Sequence, residues 1–212
     1  MQIKSVQKQI QKGFTLIEMI GVLAVIAILL ALLVPKIFEA INSARVNNAA
    51  GSCNTIKTAI MDHYGKYGAV GLNGAAFTPY PTYDTSVLLT EGLIDKPFAV
   101  RIGDSSSGAS GTRIEVVAAA SSLAVGAITP GATPPVYSLD GNATNNVAGT
   151  WVAQAVISGV DMADAQALSE RLDGRNLSQA VGTTTADITG RVEYAAKDAN
   201  GTTTVYVYLA HR

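Results

Sequence analysis

One carboxylate, Glu18, stands at the head of an apolar run that carries no other charge from Met19 to Val34. Taking an ionised carboxylate out of water is costly unless a counter-charge and hydrogen bonds replace its hydration. An acid in a membrane-length segment is therefore a functional candidate in its own right. The residues before it are Lys12-Gly13-Phe14-Thr15-Leu16-Ile17, and the first thirteen positions carry Lys4, Lys8 and Lys12. Lysines ahead of an apolar run favour an orientation in which the N-terminus stays cytoplasmic and the rest of the chain crosses.

Elsewhere the familiar catalytic constellations are missing. The two histidines, His63 and His211, have no partner set visible in the sequence, and no metal-ligand spacing occurs. Ser105–Ser107 has no nearby base, and neither a nucleophile elbow nor a phosphate loop is present. Asp161, Asp164, Asp173, Asp187 and Asp198 read as helix caps and solvated turns, with a calcium site as the alternative. Asn142, Asn176 and Asn200 each open a glycosylation-type triplet. Neither an enzyme nor a bound cofactor or metal is expected. The formal charge of −1 falls to −4 without residues 1–13, whose only charged side chains are three lysines. No basic surface remains that points to a specific nucleic acid. Cys53 is the only cysteine, so no intrachain disulfide can form, and its position on an apolar stripe reads as a small buried hydrophobe.

The elements that position Glu18 follow from periodicity. Phe14–Val34 is 21 residues, about 31 Å of helix, which matches a hydrocarbon core. An ordinary secretory signal is the alternative, but no small-residue cleavage site precedes Pro35-Lys36. Beyond Pro35, which is expected to kink or loosen the helix, Ile37, Ile41, Ala44, Ala49, Cys53, Ile56, Ile60 and Tyr64 form a second stripe. Gly65 and Gly68 end it. Asp84-Thr85-Ser86 is expected to cap a short helix at residues 87–91, closed by Gly92. Gly103–Gly111 reads as an exposed turn and Gly126–Thr150 as a long surface loop. Arg113–Ala120 and Trp151–Ser158 read as strands. Asp161 is expected to cap a helix with Met162, Ala165, Leu168 and Leu172 on one face and Gly174 at its end. Arg191–Lys197 and Thr202–Ala210 read as a hairpin across Asp198–Gly201. The expected class is α+β: a long N-terminal helix, transmembrane in its first half and amphipathic in its second, packed on a mostly antiparallel sheet of about four strands.

Gly13-Phe14-Thr15-Leu16-Ile17-Glu18, with its basic leader and apolar run, resembles the processing site of type IV prepilins and pseudopilins. The resemblance implies a pilin fold and cleavage between Gly13 and Phe14 by a prepilin peptidase, which also N-methylates Phe14. It implies assembly through Glu18, Phe14 and the helix-loosening Pro35. Residues 1–13 would be the leader, 14–35 the membrane and fibre-core helix, 36–68 an amphipathic spine and 69–212 an α+β domain. The implied partners are further copies of the chain, the peptidase/methyltransferase, the pilus assembly machinery and, before assembly, the bacterial inner membrane, with the C-terminal domain outside the cytoplasm and later in an extracellular pilus. Trp151–Gly174 is similar to type IVb pilins, with Ala167 standing where those proteins place a disulfide cysteine.

Three functions compete on this reading. The first is a subunit of a type IV pilus, in which adhesion, twitching motility or DNA uptake belongs to the fibre. The second is a minor pilin or a type II secretion pseudopilin, and abundance in sheared filaments separates it from the first. The third is a signal-anchored periplasmic enzyme or binding domain, which would keep its activity when truncated before Ala44.

Overall fold

The computed structural model describes residues 13–104, 111–121, 129–142, 145–178 and 185–212. Residues 105–107, the centre of the expected Gly103–Gly111 turn and the leader lysines lie outside the described residues. Helix α1 covers Leu16–Tyr67 and contains Pro35 without interruption. The chain forms two compact units that divide between Ile41 and Asn42.

In the first unit the helix leaves its apolar side chains uncovered. Phe14, Leu16, Ile17, Leu23 and Leu32 are each 60–85% exposed, as is Phe38 beyond Pro35. The most apolar 18-residue window averages a hydropathy of 2.9 and buries nothing within the chain. By length and composition this helix can cross a membrane. Pro35 removes one backbone donor, a loss one turn of helix tolerates.

In the second unit α1 buries Val46, Ala49, Ala50, Cys53, Ile56, Ile60 and His63, at steps of three and four residues. The stripe is displaced from the expected one: Ala44 is exposed, Tyr64 half-buried, and Val46 and His63 take core positions. Gly68, at φ +69°, terminates the helix and donates its N–H to the Tyr64 carbonyl at 2.7 Å.

Four strands, β1 (Arg113–Ala118), β2 (Trp151–Asp161), β3 (Val192–Tyr194) and β4 (Thr202–His211), form an antiparallel sheet ordered β1-β2-β4-β3. Helix α2 (Met162–Asp173) follows β2 directly. One sheet face, including Ile114, Ala155, Ile157, Val205, Val207 and Leu209, forms a single core with α1 and with Ala165 and Leu168 of α2. The sequence-based alternation of β4 holds, with Tyr206 and Tyr208 on the opposite face. That face is not open to solvent. Tyr137 and Val147, from the stretch expected to be surface loop, pack on Val152, Tyr206 and Tyr208. The Tyr137 hydroxyl donates to Gln154 Oε1 at 2.6 Å, and Gln154 Nε2 donates to Glu115 at 2.6 Å. Covered on both sides, β2 is buried for its first seven residues.

Several acids read as caps or solvated turns do other things. Asp84 caps nothing: residues Asp84–Leu88 form a π-helical turn without a side-chain cap. Its buried carboxylate accepts the N–H of Phe98 at 2.9 Å and of Ile114 at 3.5 Å. Asp161 occupies the N-cap position of α2 but makes no capping bond, because its backbone finishes β2 against Thr202. Asp173 accepts the N–H groups of Arg191 and Val192 at 2.9 and 2.8 Å. Asp187 is fully buried and takes the Ser169 hydroxyl at 2.8 Å. Only Asp198 is a turn residue as expected, accepting from Asn200 and Thr202 at 2.9 Å each.

These acids seal the sheet. On the free side of β1, Asp84 holds Ile114 and a one-residue bridge from Tyr80 exchanges both backbone bonds with Val116. On the free side of β3, Asp173 holds Val192 and a bridge from Asp187 does the same with Tyr194. Removing the Asp84 carboxylate orphans buried donors. Asp84→Ala is expected to destabilise the domain by about 2–4 kcal/mol and Asp84→Asn, which keeps an acceptor, by clearly less; chemical denaturation of the two variants checks this.

Candidate functional site

Gly13, Phe14 and Thr15 precede α1 as exposed, non-helical residues. Helical conformation starts at Leu16, so Thr15 is the N-cap and Glu18 the third helical residue. Thr15 Oγ1 accepts the Glu18 N–H at 3.3 Å, and Glu18 Oε2 accepts both the Thr15 N–H and the Thr15 hydroxyl at 2.7 Å. This is a reciprocal capping box, which satisfies two of the otherwise unpaired donors at a helix start. The acid also lies at the positive end of the helix dipole. Its other oxygen, Oε1, accepts no bond among the described residues.

Gly13, Phe14 and Glu18 thus meet within one turn of chain. Pro35 lies seventeen positions beyond Glu18, about 26 Å along the helix, and belongs to no common site with them. Thr15 is the residue that sequence reasoning missed. Its signal was available, because Thr15-Leu16-Ile17-Glu18 is the Thr-x-x-Glu pattern that starts helices. No side chain of the described residues comes within 4 Å of where a Cβ on Gly13 would stand.

Neither histidine lacks partners, contrary to expectation. His63 is fully buried, with Nδ1 2.9 Å from Glu91 Oε2 and Nε2 3.2 Å from the Gly71 carbonyl. Glu91 comes from a segment 28 residues away, too distant for sequence spacing to show. His211 Nδ1 lies 2.6 Å from the Tyr208 hydroxyl. Among the described residues, no group of three or more His, Cys, Asp or Glu side chains is placed to hold a metal ion. A groove of about 520 Å³ between α1 and residues 94–99 is lined by Asn47, Ser52, Thr55, Ile94, Lys96 and Phe98, among others, and includes no acid, histidine or cysteine. Burial pushes the Cys53 thiol up to about 12, which makes it an inert packing group.

Two other acids are held above their ordinary range. Burial raises Asp173 to about 6, against its two backbone N–H bonds, and burial followed by repulsion from Asp187 raises Glu193 to about 9. Both groups bind protons more tightly in the folded chain, so their contribution to stability is full below the ordinary carboxylate range. It is lost as pH rises through about 6 for Asp173 and toward about 9 for Glu193. Denaturation midpoints measured from pH 4 to 10 are expected to fall along this range, and Asp173→Asn should flatten the lower part.

Residues 8–34 match the family model of the prokaryotic N-terminal methylation motif, the leader signature of type IV prepilins. The match starts in the basic leader, spans Gly13, Phe14, Thr15 and Glu18, and ends one residue before Pro35. No curated protein and no solved structure matches the chain. The motif supports a type IV pilin-like prepilin or pseudopilin, a structural rather than enzymatic class, and implies processing by a prepilin peptidase.

Proposed function

We propose that the chain is a structural subunit of a type IV pilus. A prepilin peptidase cuts between Gly13 and Phe14 and methylates the new amine of Phe14. Residues 14–35 hold the mature chain as a single pass in the bacterial inner membrane, residues 36–68 form the spine, and residues 69–212 lie outside the cytoplasm. Assembly machinery then adds the subunit, through its N-terminal helix, to a surface filament of identical copies.

The observation that carries this reading is the methylation motif falling on a helix whose apolar side chains find no cover within the chain. Bare apolar surface of this extent calls for lipid or for other helices. The capping box supplies the chemistry. Cleavage places an ammonium on Phe14, one residue before the N-cap, at the end of the helix where a cation is disfavoured. Glu18 Oε2 is already engaged by Thr15, and Oε1 remains to accept a charged amine from another copy. A pair of this kind forms in the lipid interior only when both members arrive together.

Mass analysis of the N-terminus of native protein tests the proposal. A methylated Phe14 start in material recovered from sheared filaments is the expected result. Native protein that keeps residues 1–13, or a filament fraction without it, overturns the assignment.

A further inference from the structure

We infer that His63 and Glu91 form a proton-loaded latch that fixes the 71–91 segment onto α1 and loosens as pH rises. The inference stands apart from the pilus reading and rests on the direction of the hydrogen bonds. Both ring nitrogens of His63 face groups that accept: the Gly71 carbonyl at 3.2 Å from Nε2 and the Glu91 carboxylate at 2.9 Å from Nδ1. A carbonyl oxygen cannot donate, so Nε2 carries a hydrogen. The contact between Nδ1 and Oε2 needs a second, whether it sits on the ring or on the carboxyl. The docked site therefore holds two protons. In an unfolded chain above about pH 6.5, an imidazole and a glutamate together hold one. Closing the latch takes up a proton from solvent.

The surroundings make the proton count matter. The His63 side chain is fully buried and that of Glu91 is 5% exposed. From α1, the Tyr67 ring lies 5.0 Å from the imidazole, with Asp62 and Lys66 as its charged neighbours on the helix. From the facing segment, the Tyr83 ring meets it edge-on at 6.2 Å, and Tyr80 stands behind at 5.7 Å from Tyr83. Among the described residues, Glu91 is the one group ion-paired with His63. Its second oxygen accepts the Asn73 N–H at 2.7 Å, and Asn73 sits at φ +55°, a conformation that a side chain rarely adopts unaided. Gly71, Asn73 and Glu91 are thus all held through one shared proton, and its loss leaves a buried, uncompensated negative charge.

The test uses the full chain in detergent micelles. Ring ¹⁵N signals of His63, distinguished from those of His211 by the His211→Gln variant, report the proton count directly. Two protons shared by His63 and Glu91 at pH 7 are expected, whether as imidazolium and carboxylate or as a neutral pair. A ring with one proton beside an ionised Glu91 overturns the latch. One proton of linkage changes the unfolding constant up to tenfold per pH unit above neutrality. Glu91→Gln keeps a donor and an acceptor without needing the extra proton, so its pH dependence should be shallower than that of the parent by up to that factor. Equal slopes in the two proteins overturn the proposal. The ring signals of the parent protein decide the matter alone if the variant does not fold.

Discussion

Glu18→Ala is expected to leave cleavage after Gly13 intact while filament yield falls by about two orders of magnitude or more. Removing one member of a buried ion pair costs about 3–5 kcal/mol, and each 1.4 kcal/mol is a factor of ten in an equilibrium. The capping box complicates that reading, because the same substitution also removes the bonds from Thr15 to Glu18 Oε2. A lost cap is worth about 1 kcal/mol, too little to abolish assembly. Two further variants separate the roles. Glu18→Gln retains an oxygen for Thr15 but no charge, and should assemble as poorly as the alanine variant. Thr15→Ala retains the charge but not the hydroxyl, and should assemble within about tenfold of the parent. Electron microscopy and quantified sheared fractions read all three. Normal filaments from Glu18→Gln would assign the acid to helix capping alone.

Gly13→Glu is expected to stop maturation, with the precursor accumulating in the inner membrane. Position 13 is extended and exposed, and a Cβ there meets nothing within 4 Å. The fold of the chain itself therefore accepts the substitution, and any block arises in the peptidase that must bind the scissile bond. A loss of at least about a hundredfold in processing rate corresponds to ~2.7 kcal/mol of transition-state stabilisation. Intact mass analysis of membrane fractions distinguishes the precursor from the mature form. Mature protein from this variant would place the cut elsewhere.

The parts of this molecule governed by period and by local chemistry were legible in the sequence. The four strands, the α2 face of Ala165 and Leu168, and the ends at Gly68 and Gly174 fell within a few residues of expectation. Each depends on neighbours no more than four residues apart or on strict alternation. What stayed hidden depended on long-range pairing. Asp84 finds its donors 14 and 30 residues away, and Asp173 finds its donors 18 and 19 away. Short polar side chains near predicted turns look like caps whether they serve the adjacent backbone or a distant strand. The stretch holding Tyr137 and Val147 was misread for a related reason: its Gly, Pro and Asn content marks irregular backbone, not exposure. At the candidate site the apolar run and its embedded acid were visible, and Thr15 was overlooked because attention to the charge obscured a short-range helix signal.

The sealed margins of the sheet bear on how such chains can meet. Each outer strand has its outward backbone groups taken, by Asp84 and Tyr80 on one flank and by Asp173 and Asp187 on the other. A strand with no vacancies cannot template another, so crowded copies are barred from zipping together into amyloid-like ribbons. Growth by addition is left to the bare N-terminal rod, and the same fold that permits one kind of polymer forbids the other.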